Sequence, residues 1–92
     1  MLPHVLRHNL SVNGDRQAAL AAAMGAPNTA AADRVQQLVA DLGRSGRLRD
    51  ADVTGEMLPT IAEEAMHDLW VKTNPRPIAG PATALALLKA VW

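Results

Sequence analysis

The chain has no cysteine, no phenylalanine and no tyrosine, and only two tryptophans among its 92 residues. Without thiols, a disulfide framework, a thiolate metal site and a cysteine nucleophile are excluded, which fits a reducing compartment. Few aromatic rings are available to fill a core. Neither charge is in surplus: nine Lys+Arg stand against nine Asp+Glu, a formal net charge of +0, and the pI is near 6.8. A nucleic-acid partner is therefore not expected, since that surface needs clustered, uncompensated Lys and Arg. Long apolar runs are missing too. Stretches such as 79–88 contain Gly or Pro and fall short of the roughly 20 residues that a bilayer demands, so no membrane partner is expected. The opening MLPHVLRHN lacks the layout of a signal peptide. The expectation is a soluble, cytoplasmic chain forming a single helical domain over 1–92.

What the sequence has in quantity is alanine, eighteen of them, and alanine enters a helix without losing side-chain entropy. With few alternating Val/Ile/Thr runs to suggest strands, the fold class is all-α, a small bundle of about five helices. Leu2, Val5, Leu6 and Leu10 recur at helical spacing, with Pro3 borne by a first turn, and predict a helix over 2–10. Asn13 is placed to cap a second helix over 14–24, stopped by Gly25 and Pro27. Asn28 repeats the cap before Val35, Leu38, Val39 and Leu42, a stripe that Gly43 ends. Residues 44–53 mix Gly, Ser and both charges and read as a loop. Thr54 or Asp52 opens a fourth helix whose Leu58, Ile61, Ala62, Ala65, Met66 and Leu69 share a face, with Pro59 in its first turn. Pro75 and Pro77 make 70–79 a non-helical connector. Pro81 starts the fifth helix, with Leu85, Leu88 and Trp92 on one side and Leu87 and Val91 on another.

Few residues are arranged for chemistry. His4 and His8, four apart, share a helix face, but two ligands fall short of the three that a catalytic zinc takes, and His67 has no spacing that joins it to them. They read as ordinary helix-face residues, His8 capping the end of the first helix. Arg44, Arg47 and Arg49 could bind an anion; they read instead as solvated partners of Asp50 and Asp52. Glu63 and Glu64 are adjacent, hence about 100° apart around a helix, and cannot flank one bond as an acid and base. Ser11 and Ser45 have no base at a recognisable spacing, and no Gly-rich loop follows a strand. Trp70 and Trp92 read as core. No catalytic, cofactor-binding or metal residue is assigned.

LPHVLRHN at 2–9, a small-residue helix ending MGAP, LVADLG, and TNPRPIAG before a closing helix ending Ala90-Val91-Trp92 occur in an order that resembles the C-terminal end of the iron-containing alcohol dehydrogenase family. The Asn74-Pro75-Arg76-Pro77-Ile78 string and Trp92 are most similar to its maleylacetate reductase branch. The resemblance implies an oxidoreductase in which an N-terminal α/β domain binds NAD(P)H, a helical domain follows, and the active site, often with iron or zinc, lies in the cleft between them. It also implies that the family's nucleotide-binding segment and metal ligands lie upstream of LPHV, so His4 is not one of those ligands. The expected role is a C-terminal helical fragment or subunit, inactive alone and holding no cofactor itself. Its expected partner is a second copy, through Leu2, Val5 and Leu6 and through Leu87 and Val91, or a missing N-terminal chain. The alternative is a free-standing helical interaction module that homo-oligomerises.

Overall fold

A computed structural model describes every residue from Met1 to Trp92 and contains helices and turns but no strand. Four α-helices, α1 (Leu2–Ala23), α2 (Ala31–Asp41), α3 (Leu58–Ala65) and α4 (Pro81–Val91), are accompanied by 3-10 turns at Leu48–Ala51, Gly55–Met57 and Val71–Thr73. The expectation of about five helices is corrected to four, because the segments over 2–10 and 14–24 are one element, kinked at Asn13 (φ −128°, ψ 30°). The conformational break falls where Asn13 was expected to separate two helices, yet the chain re-enters helical geometry at once. The elements group into two compact units, Met1–Gly46 and Arg47–Trp92. None of the helices is long and apolar enough to cross a membrane.

In the first unit, both helix ends follow from glycine. Gly25 (φ 76°) and Gly43 (φ 70°) adopt the left-handed conformation that glycine takes without a Cβ penalty. After α1, Gly25 N–H donates to Ala22 O and Ala26 N–H to Ala21 O; after α2, Gly43 N–H donates to Ala40 O and Arg44 N–H to Val39 O. Each pair is a Schellman closure, satisfying carbonyls that the helix end would otherwise leave open. Asn28 does not cap α2. The helix starts later, with Ala30 at the cap position and no side-chain cap bond, because 26–29 first form a turn closed by Thr29 N–H on Ala26 O. Asp33 in the first turn of α2 meets the positive end of the helix dipole. The unit buries Ala21, Ala31, Ala32 and Val35, together with the amides of Asn9 and Gln17.

The second unit has the larger core. Leu58 and Ala62 of α3 pack with Ala84 and Leu88 of α4, and Leu48, Val53, Met66, Ile78 and Leu85 surround them. Pro59 lies in the first turn of α3 and Pro81 opens α4, where a missing N–H costs nothing. However, α3 is shorter than its apolar stripe. Met66, His67 and Asp68 donate to carbonyls three residues back, and Asp68 Oδ1 accepts from Trp70 N–H at 2.9 Å, an Asx turn that competes with further helix. Leu69 is consequently exposed rather than on the buried face, and Trp70 at 75% and Trp92 at 36% are both exposed, which corrects their reading as core. Val91 is buried and Leu87 half-buried, so α4 does not present them together as an uncovered side.

Candidate functional site

The polar residues of α1 converge where the helix bends. Gln17 Nε2 donates to Leu6 O at 2.7 Å and to Asn13 Oδ1 at 2.8 Å. Asn13 thus uses its side-chain oxygen on another side chain at the kink. Before the bend, His4 and His8 are half-buried, with His4 Nδ1 and His8 Nε2 shielded from solvent. Since α1 runs on past residue 8, His8 is not the cap of a helix end, which corrects that reading. Arg7, on the exposed side, forks to Asp33 Oδ1 and Gln36 Oε1 of α2, each at 2.8 Å. Exposed as it is, this ion pair contributes little.

A second convergence, in the other unit, gathers around Trp92. Its indole N–H donates to Val53 O at 2.8 Å, the Arg49 guanidinium lies 4.4 Å from the ring centroid, and Arg49 Nε donates to the main-chain oxygen of Trp92 at 2.7 Å. Gly55 borders the same ring, which lies 3.5 Å from the point where a Cβ would sit. Arg49 is therefore committed to a cation–π contact and a main-chain bond, an arrangement with no counterpart in the solvated-loop reading of the three arginines. No sequence signal marks it: residues 43 apart leave no periodic trace.

The remaining candidates stay dispersed. Glu63, Glu64 and His67 are exposed in the second unit, and Ser11 and Ser45 are exposed in the first. No group of three His, Cys, Asp or Glu residues could hold a metal ion. The residues present therefore do not fit an iron or zinc centre. Nor do they fit a dinucleotide, for which a strand must deliver a Gly-rich turn to a helix N-terminus.

Comparison with known proteins says where such a chain belongs. The model for the C-terminal part of the Fe-containing alcohol dehydrogenase family matches residues 1–92. Lactaldehyde reductase of Escherichia coli (strain K12) is 33% identical over 85 residues, which take in 83% of this chain and 22% of that protein. The 1,3-propanediol dehydrogenase of Citrobacter freundii is 36% identical over 86 residues, with the same 83% and 22% shares. The chain thus spans about a fifth of the length of these curated relatives. No solved structure matches it. The chain belongs to the iron-containing alcohol dehydrogenase family, within the C-terminal region of that family.

Proposed function

We propose that the chain acts as the C-terminal helical part of a cytoplasmic oxidoreductase that interconverts a small alcohol and its carbonyl compound. The observation that carries this reading is the family match over all of 1–92 to a C-terminal region, and the strand-free helical structure agrees with it. In that reaction a hydride moves between a nicotinamide and the carbonyl carbon while a proton moves to or from the oxygen. In this reading both the nicotinamide and the metal are held by polypeptide beyond the part of a family enzyme that this chain represents. By itself the chain is inactive in this reading, because its residues fit neither group.

The relatives point to a three-carbon substrate such as lactaldehyde or 1,3-propanediol. Neither is named a maleylacetate reductase, and this substrate class is proposed in place of the branch expected from 74–78 and Trp92. A chimera in which this chain replaces the matching C-terminal segment of the E. coli lactaldehyde reductase tests the reading. Expected are NADH-dependent reduction of lactaldehyde by the chimera and no saturable NADH binding by the isolated chain. A folded chimera that reduces neither lactaldehyde nor other small aldehydes overturns the reading, and preference for maleylacetate restores the branch first expected.

A further inference from the structure

Ala31, Val35 and Leu38 of α2 and Leu42, its C-cap residue, follow one another at i, i+4, i+7 and i+11, which places all four in one narrow sector of the helix. Their exposure nevertheless rises along the axis, from 3% and 8% to 40% and then 68%. Because the sector is the same, cover is lost along the helix rather than around it: the buried face continues past whatever covers its beginning. Leu42 is not at a frayed end, since the Schellman bonds of Gly43 and Arg44 close the helix at this point. Beside it, Gln37 Nε2 donates to Asp41 Oδ1 at 2.8 Å, giving the apolar strip a polar border whose carboxylate is already engaged. That combination of aliphatic centre and satisfied rim is the anatomy of an interface.

Helix α1 shows the same inversion. Leu2, Leu6 and Leu10 form a stripe at i, i+4 and i+8, and Leu2 and Leu10 are more than half exposed while Asn9 and Gln17 are buried. A unit that hides amides and shows leucines has apolar surface left to cover. The occupant is indicated by length: the matched region is only 22% of either relative, and the family model names it C-terminal.

We infer that Leu38 and Leu42, at the C-terminal end of α2, form a seam on which the remaining polypeptide of a family enzyme docks, through an aliphatic surface of its own, whether joined to this chain or supplied separately. The inference rests on the family reading under Proposed function. Its test uses the full chain and the chimera, each with and without Leu38→Glu plus Leu42→Glu, and with Ala40→Glu, on the opposite side of α2, as control. Two charges on an already exposed strip should leave the thermal midpoint of the free chain within about 3 °C of wild type. In the chimera, where the strip is covered, the same pair should lower the midpoint by about 5 °C or more while Ala40→Glu does not. A fall in the free chain overturns the inference, because the strip is then covered by the chain itself or, if sedimentation also shows a dimer dissociating, by a second copy. An unmoved chimera overturns it as well, and so does a chimera that fails to fold. A folded, Leu38/Leu42-sensitive chimera without reductase activity leaves the seam standing and removes the proposed function.

Discussion

Gln17 donates a hydrogen bond to the carbonyl of Leu6 at 2.7 Å, across 11 positions of one helix. In a straight α-helix those residues would be about 16 Å apart along the axis, beyond the reach of a glutamine side chain. The bond is possible only because Asn13 leaves helical geometry, and Gln17 holds both sides of the bend by binding Asn13 as well.

Gln17→Leu therefore keeps the bulk and removes the donor, leaving a half-buried amide oxygen and a main-chain carbonyl without it. The expected loss of stability is about 1–3 kcal/mol, read from the midpoint of urea denaturation followed by circular dichroism. An unchanged midpoint would mean that α1 bends without this bond.

Gly43→Ala places a Cβ on a residue at φ 70°. No atom crowds that position, so the cost is conformational, about 1 kcal/mol. Gly43→Asn should recover part of the loss at position 43, because asparagine tolerates the left-handed region; equal midpoints for the Ala and Asn variants would contradict this.

The two tryptophans should report different surroundings. Trp70 is 75% exposed, whereas Trp92 is held by Val53, Arg49 and Gly55. In Trp70→Phe the remaining emission should shift to shorter wavelength and resist acrylamide quenching; in Trp92→Phe it should be red-shifted and readily quenched. Arg49→Lys, in the Trp70→Phe background, loses the Nε donor and the planar stack, and should increase quenching with a stability loss of about 0.5–1.5 kcal/mol. Identical quenching in all these variants would show that Trp92 is not enclosed in solution.

Titration calorimetry with zinc or ferrous iron on the full chain should show no stoichiometric tight site. His4 and His8 provide two ligands, and no third His, Cys, Asp or Glu completes a group with them. A one-to-one site that His4→Ala abolishes would reverse this conclusion.

Helix identity was legible wherever local chemistry decides it. The alanine-rich composition, helix prolines confined to first turns at Pro3, Pro59 and Pro81, and glycines stopping α1 and α2 act within a few residues of their own position, so the all-α class, the starts of α1 and α4 and the ends of α1 and α2 were readable from order alone, whereas the fourth helix expected from Asp52 or Thr54 begins only at Leu58. So was the family resemblance, carried by short motifs in sequence. Tertiary structure decided what depends on distant partners: that the bend at Asn13 is held by Gln17 instead of becoming a loop, that Arg49 meets Trp92, and that Trp70 faces solvent once Asp68 ends the helix early. It also decided that Leu42 is exposed although it occupies the same sector as buried Val35. Periodicity reports the direction in which a side chain points around its own helix. Whether another surface stands in that direction is settled only by where the rest of the chain goes.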